Sequence, residues 1–313
     1  MKFIGENIHI ISKKTRTAIE ERNTEFIQDL AKRQVTAGMD WVDLNIGPAR
    51  KGSEGIMKWL TSTILEVTDA TFSFDTSNIS EMEQGFKSVS NPQDCIVNSA
   101  SGDPERLENM MSLAAKYNSN IIALTMSNET GIPKDPDGRL EIASVIVDKA
   151  AELGVNNTKI LLDPLVLPVS VDQSQTMETL NSIRVFKESF DPQVLTTIGL
   201  SNVSNGSPKE NRPLINRVFA VMAAGCGLDT AIIDAFDSEL IRVIKVVETG
   251  KAGKDSDSLY TSIYNMMHEF GELEDISYNK DNPEEEAIYR TVKILMNKNI
   301  YAHNYLDENF AVK

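Results

Sequence analysis

The stretch that decides the fold reads Leu195-Thr196-Thr197-Ile198-Gly199-Leu200-Ser201-Asn202-Val203-Ser204-Asn205. It begins as a run rich in β-branched residues, which predicts a buried strand. It ends in hydroxyl and carboxamide side chains, which form hydrogen bonds and do not belong in an apolar core. A strand that becomes polar at its C-terminal end is what a (β/α)8 barrel requires where its active site opens.

The same design recurs along the chain, with predicted helices between the apolar runs. Most of these runs end in polar residues, and they cover Phe3–Ile8, Trp41–Gly47, Thr71–Asn78, Cys95–Ser99, Ile121–Met126, Lys159–Pro164 and Thr230–Ala235. A doubly wound sheet would also alternate strands and helices, but it would carry a glycine-rich phosphate turn after the first strand. No GxGxxG or GxxxxGK[ST] motif occurs. We therefore predict an α/β fold, a (β/α)8 TIM barrel with a short C-terminal helical extension.

The domain prediction follows from a change of character near Gly250. Residues 1–250 are predicted to form the barrel, with one long helix over Thr15–Ala37 and a loop over Ser127–Arg139 that precedes a helix from Leu140. Residues 251–313 are predicted to form the extension, in which amphipathic helices at 259–270 and 284–296 follow a polar linker. We expect these helices to pack on the outside of the barrel or at a subunit contact, and docking of a partner protein is the alternative.

Composition excludes several classes of function. The 313 residues carry a formal charge of −15, which argues against a nucleic-acid partner. No apolar run approaches the roughly 18 residues of a membrane span, and no signal peptide is expected, so the predicted location is the cytoplasm. Cys95 and Cys226 are predicted to be buried free thiols. The three histidines are far apart and lack HExxH spacing, so we expect no metal site.

Polar residues at the ends of the predicted strands form the candidate site. If the strands follow barrel order, one rim gathers Asp43, Asn45, Asp75, Asn98, Asp163, Ser201 and Asn202. Each of these residues alone could instead cap a helix, the role expected for Asn78 and Asp103. Few cations accompany the rim (Lys134, Arg139 and Arg212). Carboxylates and carboxamides complement a flat heterocycle whose edge alternates N–H, ring nitrogen and carbonyl, such as a pterin or a purine.

Several motifs of this chain closely resemble those of the methyltetrahydrofolate:corrinoid (iron-sulfur) protein methyltransferases. These are pterin-binding TIM barrels related to dihydropteroate synthase and to the folate domain of methionine synthase. The resemblance covers about residues 1–245, and the motifs are Asp43-Leu44-Asn45-Ile46-Gly47-Pro48, Asp75-Thr76-Ser77-Asn78, Thr130-Gly131-Ile132-Pro133-Lys134-Asp135, Leu162-Asp163-Pro164-Leu165, Gly199-Leu200-Ser201-Asn202-Val203-Ser204 and Asn211-Arg212-Pro213-Leu214-Ile215-Asn216-Arg217.

The resemblance implies a substrate, a partner and a role for each site residue. Asp75, Asn98 and Asp163 would hold the amino-pyrimidinone edge of methyltetrahydrofolate, assisted by the backbone around Gly199 and Ser201. Asn202 would lie beside N5, the nitrogen that carries the methyl group. The acceptor would be the Co(I) corrinoid (cobalamin) of a corrinoid (iron-sulfur) protein, and the family suggests a homodimer.

Two segments depart from the family pattern. The loop Asn205–Glu210 is longer than usual and borders the site, and residues 251–313 extend past a minimal barrel. Both could alter which corrinoid protein docks. The loop Ser127–Arg139 could act as a lid, and its Lys134 is either a solvated loop residue or a contact to the folate tail.

Two alternatives to this function stay open. The same chemistry could serve the corrinoid protein of a demethylase system, which would use every residue above and differ only in partner. The chain could also be a non-catalytic pterin-binding or scaffolding barrel that is held in a complex through its C-terminal helices.

Overall fold

Parallel strands that close into a barrel form the centre of the protein. In the computed structural model, which describes residues 1–48 and 54–307, the eight strands are β1 Lys2–His9, β2 Trp41–Asn45, β3 Phe72–Asp75, β4 Ile96–Ser101, β5 Asn120–Leu124, β6 Ile160–Asp163, β7 Leu195–Thr196 and β8 Thr230–Ile233. Consecutive strands pair in chain order and β1 pairs with β8. A parallel bridge from Gly199 to Ile232 links the segment after β7 to β8. The predicted TIM barrel is confirmed.

Helices surround the strands. They are α1 Lys13–Glu20, α2 Thr24–Thr36, α3 Ile56–Leu65, α4 Ile79–Phe86, α5 Pro104–Tyr117, α6 Pro136–Glu152, α7 Ser174–Ser189, α8 Arg212–Gly225, α9 Ser238–Thr249, α10 Asp257–His268 and α11 Pro283–Leu295. Ile4, Ile96, Ile122 and Leu161 fill the barrel interior, and larger apolar clusters lie between the strands and the helices. No helix among the described residues is both long and apolar enough to cross a membrane.

Three predicted elements differ from the structure, each for a local reason. The single helix over Thr15–Ala37 is wrong: Arg22 adopts a left-handed φ of 54°, and Asn23 caps a second helix by accepting a hydrogen bond from the Phe26 N–H. The predicted loop over Ser127–Arg139 ends early, because Asp135 caps α6 and Pro136 starts it. The strand at 195–205 is only two residues long and leads into a 3-10 turn, Leu200–Ser204.

The C-terminal helices pack on the outside of the barrel. α10 contacts α8 and α9, whereas α11 contacts α7 and α8, and their apolar side chains belong to the same cluster as those of the barrel helices. Gly225 of α8 allows the closest approach, because a Cβ there would lie 2.5 Å from the carbonyl oxygen of Tyr264 in α10. The division of the chain into domains at residue 250 stays a prediction.

Both cysteines are buried free thiols, as predicted. Burial raises the pKa of Cys95 to about 11 and that of Cys226 to about 12. The thiols are therefore protonated and unreactive at neutral pH, and they act as small apolar side chains of the core.

Candidate functional site

A cavity of about 740 Å³ opens at the carboxyl ends of the strands. The cavity is lined by residues from the ends of β1, β2, β3 and β8, from the 3-10 turn after β7 and from the start of α8: Glu6, Asn7, His9, Ile11, Asp43, Asn45, Asp75, Gly199, Ser201, Asn202, Ser204, Asn205, Lys209, Arg212, Pro213, Asn216, Ile232, Asp234 and Asp237. Six of the eight residues predicted for the site lie in this lining. Asn98 and Asp163 do not line the open cavity. Both are buried, Asn98 within β4 and Asp163 at the end of β6.

Neighbouring strands place three of the predicted residues side by side. In the parallel register Asn45 of β2 pairs with Asp75 of β3, which in turn pairs with Asn98 of β4. The Asn45 amide donates a hydrogen bond to the Asp75 carboxylate. The Asn98 amide donates to Asp43 Oδ1 at 3.1 Å and to Ser73 Oγ at 3.3 Å. These bonds fix the orientation of the carboxylates before any ligand arrives.

Burial makes these carboxylates weak acids. The pKa of Asp43 is raised well above its usual value of 3.8, first by burial and then by the neighbouring charge of Asp75. Burial likewise raises the pKa of Asp75 to about 6, although the hydrogen bond from Asn45 and the charge of Arg106 oppose the shift. An N–H donor from a ligand would favour the ionised form of such a group. The pair is therefore suited to bind a flat edge that donates hydrogen bonds.

Asp163 lies apart from that group, at the end of β6. Its side chain is 5% exposed and accepts a hydrogen bond from the Leu165 N–H at 2.7 Å. Burial raises the pKa of Asp163 to about 7, opposed by that hydrogen bond, by the charge of Arg139 and by the Gly199 N–H. Its contact with Gly199 links β6 to the segment after β7.

The segment after β7 presents Ser201 and Asn202 to the cavity on the 3-10 turn rather than on a strand. The Asn202 N–H donates to the Gly199 carbonyl at 3.1 Å, and the Asn202 side chain is exposed. A Cβ on residue 199 would lie 3.0 Å from Asn202 Nδ2, so glycine leaves the amide its space. The Ser201 hydroxyl donates to Glu6 Oε1 at 2.6 Å.

The structure adds site residues from β1 and β8 that the sequence prediction did not include. Glu6 and Asn7 belong to the first predicted run, Phe3–Ile8, and are not among the predicted site residues. Burial raises the pKa of Glu6, and Asn7 donates to Asp234 Oδ1 at 2.7 Å. The pattern used for the other strands, polar residues near the end of an apolar run, could have identified these residues. Glu6 and Asn7 lie near the end of the first run, and Asp234 lies near the end of the last.

The structure confirms one of the two predicted helix caps, Asn78, but not the other, Asp103. Asn78 caps α4 by accepting hydrogen bonds from the Ser80 and Glu81 N–H groups, as predicted. Asp103 occupies the corresponding position of α5 but makes no capping hydrogen bond, so that prediction is wrong. Its carboxylate instead accepts from the Asn128 N–H at 2.7 Å and from Ser101 Oγ at 2.8 Å, and it ties the loop after β5 to β4.

The expected cations separate into different environments. Lys134 is exposed and does not line the cavity, and Arg139 is buried among Pro133, Ser182 and Gln175. Arg212 lines the cavity together with Lys209. Within residues 1–48 and 54–307, no group of three or more His, Cys, Asp or Glu side chains could hold a metal ion.

The sequence profile of the family described as "Pterin binding enzyme" matches residues 12–234 of this chain. The chain belongs to this family. This pterin binding enzyme is 26% identical over 246 residues to a methylcorrinoid:tetrahydrofolate methyltransferase of Eubacterium limosum, a match that covers 78% of this chain and 89% of the relative. It is 28% identical over 257 residues to the methionine synthase of Mycobacterium leprae, covering 79% of this chain but only 21% of that protein.

Solved structures of dihydropteroate synthases share the fold. The enzyme from Xanthomonas albilineans with 4-aminobenzoic acid has a TM-score of 0.60 at 14% identity, over 81% of this chain and 94% of that one. The enzyme from Yersinia pestis has a TM-score of 0.59 at 16% identity, over 80% of this chain and 92% of that one. These structures support the barrel fold alone. The sequence matches confirm the resemblance to the pterin-binding family and the prediction that the chain is a methyltransferase enzyme.

Proposed function

We propose that this pterin binding enzyme moves a methyl group between N5 of tetrahydrofolate and the cobalt of a corrinoid carried by a partner protein. The observation that carries the proposal is the position of Asn202, whose exposed amide lies on the turn at the mouth of the cavity, beside a wall of buried carboxylates and carboxamides. The relative from Eubacterium limosum, whose name joins a methylcorrinoid to tetrahydrofolate, supports the same reaction.

Each predicted residue has a role in this proposal. We assign the amino-pyrimidinone edge of the pterin to Asp75, which lines the cavity, and to Asn98 and Asp163, which are buried on β4 and β6, with assistance from the backbone of Gly199 and Ser201. Asp43 and Asn45 orient Asn98 and Asp75 through the hydrogen bonds described above. The fit is chemical, because buried carboxylates with raised pKa values accept the amino and ring N–H groups of a pterin, and a ligand that lacked these donors would leave them unpaired.

Asn202 acts on the leaving nitrogen. A tertiary amine releases a methyl group poorly unless its nitrogen is protonated or strongly hydrogen-bonded while the bond breaks. The Co(I) corrinoid supplies a very strong nucleophile when it is docked. The Asn202 amide is too weak an acid to supply a proton, which comes from solvent. The Asn202 Oδ1 accepts a hydrogen bond from N5–H, and this bond forms as N5 acquires the proton. An interaction that is stronger in the transition state than in the ground state accelerates the reaction.

The partner and the direction of transfer define two candidates. Transfer from methyltetrahydrofolate to a corrinoid (iron-sulfur) protein is the function predicted from the sequence motifs. The name of the Eubacterium limosum relative favours the second, in which a methylcorrinoid donates its methyl group to tetrahydrofolate. Both use the same cavity and the same bond, since each is the reverse of the other. The homodimer and the cytoplasmic location stay predictions.

The test is Asn202→Ala. With free cob(I)alamin and methyltetrahydrofolate, the wild-type enzyme should form methylcobalamin, and the variant should do so about 30- to 1,000-fold more slowly, since one hydrogen bond made in the transition state is worth about 2–4 kcal/mol. Calorimetry should show a smaller loss in methyltetrahydrofolate binding. Asn109→Ala, at an exposed position of α5 outside the cavity, is the matched control.

Two results would count against the proposal, and a third would choose between its two candidates. Unchanged transfer by the variant would remove Asn202 from the mechanism. Binding of folate by the wild type without any transfer in either direction would favour the scaffold alternative. Transfer to or from one native corrinoid protein but not another would decide between the two partners.

A further inference from the structure

The charges around the cavity are segregated. Its carboxylates lie on β1, β2 and β3 and in the segment after β8, and they are Glu6, Asp43, Asp75, Asp234 and Asp237. Its lysine and arginine, Lys209 and Arg212, both follow the 3-10 turn after β7. In the described part of the chain, neither of these cations takes part in an ion pair. The part of the lining that carries Lys209 and Arg212 therefore attracts anions, although the cavity as a whole is acidic.

The loop that carries Lys209 is held at several points, although Lys209 itself is exposed. Ser207, which is 2% exposed, accepts at its carbonyl oxygen a hydrogen bond from Arg212 Nε at 2.8 Å. Ser170 Oγ donates to the Asn205 carbonyl at 2.9 Å. These contacts define one conformation for the loop 205–211 that borders the cavity.

The other supports of the loop come from the C-terminal strap, which we define as residues 297–307. The Tyr301 hydroxyl lies 2.8 Å from Ser207 Oγ, and the Asn211 amide donates to the His303 carbonyl at 2.8 Å. The strap is fixed to the barrel by Gln173, which accepts from the Tyr301 N–H at 2.6 Å. The strap lies beyond the residues that match the family profile, 12–234. The two segments that depart from the family pattern are thus in direct contact.

The chemistry of the proposed substrate gives this part of the lining a ligand. In methyltetrahydrofolate the carbon next to N5 carries the aminobenzoyl-glutamate tail, which ends in carboxylates. If Asn202 lies beside N5, that carbon is close to the 3-10 turn, and the tail leaves the cavity past the loop 205–211. The carboxyl groups elsewhere in the lining offer a glutamate carboxylate no ion-pair partner, whereas Lys209 attracts it.

We propose that Lys209 binds a carboxylate of the glutamate tail of the folate, and that Tyr301 is a positioning residue that holds the loop for this contact. The assignment rests on the proposed function, since it takes methyltetrahydrofolate as the ligand. It makes the C-terminal strap a determinant of substrate recognition rather than a packing element alone.

The experiment compares two ligands that share the pterin but not the tail. Calorimetry measures binding of methyltetrahydrofolate and of 5,6-dimethyltetrahydropterin to the wild type, to Lys209→Gln and to Tyr301→Phe. Lys209→Gln should raise the dissociation constant for methyltetrahydrofolate about three- to tenfold at low salt and leave that for the tail-less pterin unchanged. The difference should shrink at about 0.5 M salt, which screens an exposed ion pair.

Tyr301→Phe and a control lysine complete the design. Tyr301→Phe removes only the hydroxyl, so it should weaken methyltetrahydrofolate binding less than Lys209→Gln does. It should leave binding of the tail-less pterin unchanged, whereas a general structural defect would weaken the binding of both ligands. Lys32→Gln, at an exposed lysine of α2 outside the cavity lining, should bind both ligands as the wild type does.

Each adverse outcome has its own meaning. Equal effects of Lys209→Gln on both ligands, or none on either, would overturn the tail assignment and leave the proposed function intact. Unchanged folate binding with a raised KM for the corrinoid protein alone would overturn it and make Lys209 a partner contact. If the wild type bound neither ligand, the proposed function would fail, and the tail assignment with it.

Discussion

Replacing Asp163 by asparagine should stabilise the ligand-free enzyme at alkaline pH while weakening pterin binding. The wild-type carboxyl has its pKa raised by burial from 3.8 to about 7. Between these pH values the folded protein holds a proton that the unfolded chain has released. The contribution of Asp163 to the free energy of unfolding therefore falls as the pH rises from about 4 to about 7 and is constant above that. Asparagine lacks this proton and removes the slope.

The magnitude follows from the shift. Each pKa unit corresponds to 1.36 kcal/mol, so the interval from pH 5 to the folded pKa of about 7 is worth about 3 kcal/mol. We therefore compare the free energy of unfolding of Asp163→Asn with that of the wild type at two pH values. The difference should be about 3 kcal/mol more in favour of the variant at pH 8 than at pH 5. Any cost of burying the new amide group is the same at both pH values and cancels. The asparagine oxygen can still accept from the Leu165 N–H.

Urea unfolding at pH 5 and pH 8 is the measurement. Asp148→Asn, at an exposed position of α6, is the control and should differ from the wild type by the same amount at both pH values. The same Asp163 variant should bind methyltetrahydrofolate at least about tenfold more weakly, because it cannot supply an ionised acceptor. A stability difference between Asp163→Asn and the wild type that does not depend on pH would refute the argument, since it would mean that the carboxyl is hydrated in the folded enzyme.

Two further predictions concern packing. Arg139→Met should lower the free energy of unfolding by about 3 kcal/mol or more in chemical denaturation. The fully buried guanidinium donates hydrogen bonds to Pro133, Gln175 and Ser182, and the substitution would leave these acceptors unpaired. A change within about 0.5 kcal/mol would show that water replaces the guanidinium. Gly225→Ala should cost about 1–3 kcal/mol in the same assay, since its Cβ would lie 2.5 Å from the Tyr264 carbonyl oxygen and push α8 away from α10. Gly154→Ala is the comparison without a steric clash, because its Cβ would meet no atom within 4 Å. Any loss in its free energy of unfolding comes only from the backbone φ of +76°.

The barrel and most of its mouth were predictable from local patterns. Short apolar runs and amphipathic helices alternate along the chain, and most runs end in polar residues at a similar point. Because all strands of a barrel are parallel, their carboxyl ends meet on one face whatever their exact lengths. The order of the strands was therefore enough to bring Asp43, Asn45 and Asp75 together, and the registers of β2 and β3 confirm this placement.

The helix boundaries show where local reasoning reached its limit. The apolar spacing over Thr15–Ala37 is continuous in the sequence, yet Asn23 divides it, because a capping hydrogen bond and a left-handed residue compete with the periodicity. Asp103 has the sequence of a cap but is bonded to Asn128, a partner from another loop. A polar side chain binds the nearest available donor, and only the folded chain determines which donor that is.

The sequence by itself determined the barrel, the family and the set of strand-end residues, since these depend on periodicity and on motifs of a few neighbouring residues. Only the tertiary structure decided which of those residues line the open cavity, that Ser201 bonds to Glu6, and that the C-terminal strap holds the loop of Lys209. The physical reason is distance along the chain. Contacts between residues that are about one hundred positions or more apart arise from barrel closure and helix packing, which no local pattern encodes.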